Sequence, residues 1–124
     1  MKLLLALFAA MLAIGAVSLW FWRAAPQVSP CDDEVLSEAA SPDARFVAAV
    51  YQRRCAAAVT THVALRPIGV KFRPHGDVFV APGQTRIALR WPEERQLLVE
   101  SPAQRVLLQE SSWRSVAVRV VLVR

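Results

Sequence analysis

The chain has 124 residues with 55% hydrophobic residues, a mean hydropathy of +0.33 and a formal net charge of +5. Two of the basic residues, Lys2 and Arg23, flank an apolar N-terminal run, so residues 31–124 keep 13 basic and 10 acidic groups. The remaining arginines are scattered, with only Arg53 and Arg54 adjacent, and no aromatic residues alternate with them. This distribution disfavours nucleic acid as a partner.

Residues 3–22 form an uncharged apolar run that predicts a membrane or signal helix within residues 1–23. Twenty residues in a helix span about 30 Å, the thickness of a bilayer's hydrocarbon core. The favoured interpretation is an uncleaved anchor in the inner (cytoplasmic) membrane. Signal cleavage after Ser18 or Ala25, followed by secretion, is the alternative. It is less favoured because the small residues needed at a cleavage site are poorly placed.

Both cysteines, Cys31 and Cys55, follow the apolar run. An even cysteine count in a small exported domain predicts one disulfide and places the domain outside the cytoplasm, in the periplasm or beyond. Two free thiols or a metal-binding thiol pair remain open as alternatives. His62 and His75 show no ligand spacing with the cysteines, so neither a metal nor another cofactor is predicted.

Between the anchor and Cys31, residues 24–30 contain two prolines and a serine and predict an extended linker. The acidic residues 32–34 then predict a solvated loop that enters a domain spanning residues 31–124. A metal site at these carboxylates is the less favoured interpretation.

Alternation of apolar and polar residues predicts seven or eight short strands and no long helix in residues 31–124. The predicted strands are residues 35–39, 45–55, 60–66, 77–81, 85–91, 96–100, 106–109 and 114–123. The strands at 77–81 and 85–91 are predicted to form a hairpin around Pro82 and Gly83. The last strand is predicted to be buried on both faces. The expected fold is therefore all-β, an antiparallel sandwich or a partly open barrel.

Several segments resemble a family of small uncharacterised bacterial envelope proteins. The matching pieces are Cys31, residues 41–48 (Ser-Pro-Asp-Ala-Arg-Phe-Val-Ala), Cys55 with the four residues before it, and the strand 60–63 (Thr-Thr-His-Val). Ala44 and Ala56 stand where the family motifs have glycine, which predicts a different local backbone at Ala56. The resemblance implies an anchored envelope location and a β domain, and it implies no activity.

For the function, a non-catalytic binding or structural module is favoured, because no nucleophile turn or oxyanion loop is visible. Its partner is expected to be another envelope protein or an anionic envelope polymer. The predicted partner-binding residues are basic and lie in two segments: Arg53, Arg54, Lys71, Arg73 and His75.

The alternative is a small envelope hydrolase that uses His62 as a base. Its neighbours Thr60 and Thr61 would supply the hydroxyl, and either Asp43 or Asp77 would orient the imidazole. On a strand, Thr60 and His62 share one face while Thr61 points to the other.

Overall fold

The computed structural model describes residues 1–24 and 31–123. Helix α1 spans Lys2–Ala24. Its segment Lys2–Trp22 has a mean hydropathy of 2.4 and none of it is buried, so this helix is long and apolar enough to cross a membrane and does not belong to a protein core. The predicted linker lies, apart from Ala24, outside the described residues, as does Arg124 at the end of the predicted domain.

Nine strands in the described residues form two sheets. Their bounds are β1 Cys31–Ala40, β2 Phe46–Cys55, β3 Ala58–Pro67, β4 Asp77–Pro82, β5 Ala88–Glu93, β6 Gln96–Ser101, β7 Leu108–Gln109, β8 Ser112–Trp113 and β9 Val116–Leu122. The first sheet has the order β1-β2-β3-β4-β7, and the second has the order β5-β6-β9-β8. The all-β sandwich preceded by one apolar helix is confirmed, with nine strands instead of seven or eight.

The hydrophobic core lies between the two sheets. The first sheet contributes Val50, Val63 and Phe79 among others, and the second contributes Leu97 and Val116, all of them at most 2% exposed. These residues alternate with residues that face away from the core, which is the period-2 pattern from which the strands were predicted.

A disulfide joins Cys31 to Cys55 and confirms the predicted pairing. The two cysteines face each other across β1 and β2, at the end of the first sheet where the N-terminal segment joins the β domain.

The acidic residues 32–34 belong to β1, so the predicted entry loop is wrong. This segment pairs with β2, and within that register Asp33 lies opposite Arg53 and accepts its Nε hydrogen bond at 2.9 Å, a cross-strand charge pair that supports the strand.

Two alanines at the ends of β2 have backbone angles that glycine adopts without strain. Ala44, in the turn after β1, has φ of 56°, and Ala56, in the tight turn between β2 and β3, has φ of 53°. The first turn is closed by the Ser41 hydroxyl, which accepts hydrogen bonds from the backbone N–H groups of Arg45 and Phe46. The chain therefore keeps glycine-type turns at both positions where the resembled motifs have glycine, and the different backbone predicted at Ala56 is wrong.

The predicted hairpin around Pro82 and Gly83 is wrong, because β4 and β5 belong to different sheets. The Thr61 side chain explains the difference. Its buried hydroxyl donates to the carbonyl oxygen of Gly83 at 2.7 Å and accepts from the Thr85 N–H at 3.0 Å. These bonds hold the chain against β3 beyond the turn and direct it into the second sheet.

The last strand was predicted at residues 114–123, but Arg114 and Ser115 form a turn after β8, and β9 begins at Val116. Strand β9 pairs with β6 in parallel, so the second sheet is mixed and the antiparallel prediction is wrong for this pair. Val116 and Val118 are buried on one face, but Ala117, Arg119 and Val123 on the opposite face are exposed, so burial on both faces is also wrong. In this parallel register Ala117 lies opposite Gln96, so residues 102–115, which include β7 and β8, return the chain from the end of β6 to its start.

Candidate functional site

A cleft of about 460 Å³ opens where the end of β3, the loop after it and the β8–β9 turn meet. We call it the cationic cleft; its lining residues are Leu65, Arg66, Pro67, Val70, Lys71, Arg73, Pro74, His75, Trp113 and Arg114. Three of the five predicted partner-binding residues, Lys71, Arg73 and His75, therefore lie in one concave site. The lining combines apolar side chains, which we call the floor, with exposed basic side chains, which we call the rim.

Gly76 allows the loop to close onto β3 at the foot of this cleft. The Leu65 N–H donates to the Gly76 carbonyl oxygen at 3.0 Å. Gly76 has φ of 79°, and a Cβ at this position would lie 2.5 Å from the Leu65 oxygen and 3.3 Å from Trp113 Nε1. A side chain here would push apart two walls of the cleft.

Arg66 orients the loop from the end of β3. Its Nε donates to the Val70 carbonyl oxygen and its Nη2 to Glu38 Oε1, both at 3.0 Å, and its guanidinium lies 5.7 Å from the centre of the Phe72 ring. Its buried Nη1 has no hydrogen-bond partner among the described residues. Arg66 is therefore mainly a structural cation, neutralised by Glu38.

Trp113 and Arg114 form the wall contributed by the second sheet. The Trp113 ring meets Phe46 edge to face with the centroids 5.7 Å apart, which anchors it to β2. The Arg114 guanidinium lies 4.6 Å from the centre of the Trp113 ring. Arg114 has φ of 51°, so an arginine occupies a left-handed turn position that glycine would occupy with less strain.

The rim carries positive charge that the described residues do not neutralise. The ion pairs in the described residues join Arg45 to Asp43, Arg53 to Asp33, His62 to Asp77, Arg66 to Glu38 and Arg90 to Glu100. None of them includes Lys71, Arg73 or Arg114, all of which are exposed. Such a concave cluster of one sign attracts anions.

The other two predicted partner-binding residues lie at the opposite end of the first sheet. Arg53 is paired with Asp33, and hydrogen bonding to this carboxylate raises the pKa of Arg53. Arg54 is exposed and lines a shallow pocket together with Asp32, Asp33 and Glu34. The structure therefore does not bring these arginines together with the cationic cleft, and acidic groups surround them.

On the outer face of the first sheet, a polar chain runs through His62. The Tyr51 hydroxyl donates to Asp77 Oδ1 at 2.5 Å, and Asp77 Oδ2 lies 3.1 Å from His62 Nδ1. Thr60 Oγ1 lies 2.7 Å from His62 Nε2. An ionised Asp77 accepts from the Nδ1 proton, so in the neutral imidazole Nε2 accepts the Thr60 proton.

Burial and hydrogen bonding set the ionisation of this group. Burial raises the pKa of Asp77, but hydrogen bonds from His62 and Tyr51 outweigh it and hold this pKa below its ordinary value of 3.8. Burial and the hydrogen bond to Asp77 raise the pKa of Tyr51 far above its usual range. The Tyr51 ring stacks on the imidazole at 4.7 Å, and His62 is 6% exposed. Of the two predicted orienting carboxylates, Asp77 is in place; Asp43 instead accepts a hydrogen bond from Ser41.

Sequence reasoning missed Trp113, Arg114 and Arg66 as parts of the site. Residues 113 and 114 lie about forty positions after the loop, and no sequence signal links them to it.

Within the described residues, no three His, Cys, Asp or Glu side chains are grouped as metal ligands would be. In comparisons with known proteins, no family model, curated protein or solved structure matches the chain. The predicted likeness to small envelope proteins therefore stays a prediction that rests on short motifs.

Proposed function

We propose that the chain is a membrane-tethered, extracytoplasmic binding module whose β domain holds an anionic partner in the cationic cleft without turnover. The observation that carries this proposal is the grouping of Lys71, Arg73, His75 and Arg114 around an apolar floor, with no acidic side chain among the lining residues. Arg114 further supports it, because a strained turn position is occupied by a charged residue that faces the cleft.

The tether and the location rest on α1 and on the disulfide. An exposed apolar helix of this length suits a single span of the inner membrane, and a disulfide persists in an oxidising compartment such as the periplasm. Mass spectrometry of the mature chain checks the tether. An intact N-terminal segment is expected; a chain beginning after Ser18 or Ala25 would show a secreted domain instead.

The test of binding uses the full chain in discs of zwitterionic lipid, with labelled poly-glutamate as the probe. The double variant Lys71→Gln/Arg73→Gln is expected to bind about tenfold more weakly, because each exposed charge contributes up to about 1 kcal/mol. Binding should also weaken between roughly 50 and 300 mM salt, as screening increases. Arg86→Gln/Arg105→Gln is the matched control, since it removes two exposed charges outside the cleft.

Equal weakening by both double variants would mean that net charge, and not the cleft, attracts the probe. Arg54→Gln tests the second sequence-predicted site in the same assay. We expect little change from it, because Arg54 faces acidic side chains that already offset its charge.

A second candidate function, hydrolysis, is favoured by one observation: the hydroxyl–imidazole–carboxylate chain of Thr60, His62 and Asp77. In this order a histidine can take the hydroxyl proton while the carboxylate orients the ring. The low exposure of His62 and its stacking on Tyr51 suit a structural network instead. Loss of ester hydrolysis in Thr60→Val and His62→Ala variants that remain folded would establish the enzyme and overturn the proposed module.

A further inference from the structure

We propose that the occupant of the cationic cleft is an acidic peptide segment of another envelope protein, with one apolar side chain seated between carboxylates. This inference rests on the proposed function and adds the chemical class of the partner. It follows from the hydrogen-bonding character of the rim, from the apolar floor, and from the position of the cleft in the sheet.

The rim offers hydrogen-bond donors almost exclusively. Arginine and lysine side chains donate and do not accept, whereas an ionised carboxylate only accepts. The hydroxyl groups of a neutral sugar need acceptors as well, and the side chains that line the cleft include no carboxylate or amide. One face of Trp113 is covered by Arg114, which removes that face as a stacking platform for a sugar ring. Carboxylates therefore match this rim better than polysaccharide hydroxyls do.

The apolar floor favours a ligand that carries an apolar group as well as charge. Pro67, Val70 and Pro74 line the cleft beside the basic side chains and offer accessible apolar surface, and Val70 is 52% exposed. A ligand that carries charge alone would leave this surface in contact with water. A cleft of about 460 Å³ accommodates a few peptide residues, and one aliphatic side chain on the floor would bury apolar surface from both partners.

The position of the cleft disfavours the lipid surface next to the tether. The N-terminal segment joins the β domain at Cys31, and the cleft lies beyond the other end of β2 and β3. A ten-residue strand is about 30 Å long. The attached end carries three carboxylates (Asp32, Asp33 and Glu34) against two arginines (Arg53 and Arg54), so its net charge of −1 does not attract anionic headgroups. The acidic strand of a second copy is also a poor occupant, because its Asp33 and Glu38 are already paired with arginines.

The test measures binding of two labelled peptides to the full chain in zwitterionic discs. Both peptides consist of glutamates, with a central leucine in one and a central serine in the other. The leucine peptide is expected to bind about tenfold more tightly, from burial of one aliphatic side chain. Val70→Ser should remove most of this advantage, whereas Ile68→Ser should keep it. Ile68 is similarly exposed, two residues away, and does not line the cleft.

The outcomes separate this inference from the proposed function. Equal affinity for the two peptides would overturn the peptide inference. If the Lys71→Gln/Arg73→Gln variant still lost its binding to both peptides, the anion-binding module would remain intact. Stronger binding to phosphatidylglycerol vesicles than to either peptide would likewise replace the peptide by a lipid surface. A concentration-dependent self-association that Lys71→Gln/Arg73→Gln abolishes would replace it by a second copy. Failure of every anionic probe would overturn the proposed function itself.

Discussion

Replacing Ala44 and Ala56 by glycine is expected to stabilise the β domain. Both alanines have φ above 50°, in the left-handed region that costs an L-residue about 1–2 kcal/mol. Glycine removes this cost but adds about 0.5–1 kcal/mol through the larger entropy of the unfolded chain. The net gain is about 0.5 kcal/mol at each position.

The two gains should add, because the turns lie at opposite ends of the ten-residue β2. The double variant should then be about 1 kcal/mol more stable, which raises the melting temperature of a domain of this size by about 4–8 °C. Thermal and urea unfolding of the full chain, followed by circular dichroism, measure the change.

Ala57→Gly is the matched control in the same tight turn. Ala57 does not have a positive φ, so this variant should be destabilised by about 0.4–1 kcal/mol through the unfolded-state entropy alone. The reasoning would be refuted if Ala56→Gly lowered the melting temperature as much as Ala57→Gly does.

Three further predictions concern the core of the site and the sheets. Gly76→Ala should destabilise the domain by at least about 1 kcal/mol more than Gly69→Ala. Both glycines have positive φ, but only at Gly76 would the added Cβ meet the Leu65 oxygen. Equal melting temperatures of the two variants would contradict this. The Asp77 carboxylate should contribute stability that is fully present above about pH 3.8 and is lost as pH falls through its lower folded-state pKa. Urea unfolding between about pH 5 and pH 2 should therefore show a steeper acid-side loss in the wild type than in Asp77→Asn, and parallel curves would argue against it. Removing residues 118–124 should abolish cooperative unfolding, since β9 lies between β6 and β8 and pairs with both. A truncated chain that still melts sharply near the wild-type temperature would show that β9 is dispensable.

Local patterns determined those parts of the site that lie within one segment. The alternation around His62 placed Thr60 on the same face as the imidazole, because side chains two residues apart on a strand share a face, and the two side chains are hydrogen-bonded. The basic character of Lys71, Arg73 and His75 predicted one partner-binding segment, and this segment lines the cleft. The Cys31–Cys55 pairing followed from the cysteine count, since two cysteines allow one connectivity.

Contacts between distant segments decided the rest. The β4–β5 turn has the residues of a hairpin, but the buried hydroxyl of Thr61 is hydrogen-bonded to Gly83 and Thr85 and holds the chain past that turn. These hydrogen bonds join distant segments, so no local pattern predicts them. The acidic residues 32–34 have the composition of a loop, but they form a strand paired with β2, where Arg54 lies opposite Asp32 and Arg53 opposite Asp33.

By itself, the sequence determined an apolar N-terminal helix, a disulfide and an all-β domain, because hydrophobic length, cysteine count and period-2 alternation are local properties. Only the tertiary structure decided that Trp113 and Arg114 meet the Lys71–Arg73 loop, and that Arg53 and Arg54 lie at the other end of the sheet. The reason is physical: the position of β9 depends on parallel pairing with β6 within the second sheet, and this pairing is determined by packing of the core that the two sheets share, not by any local segment.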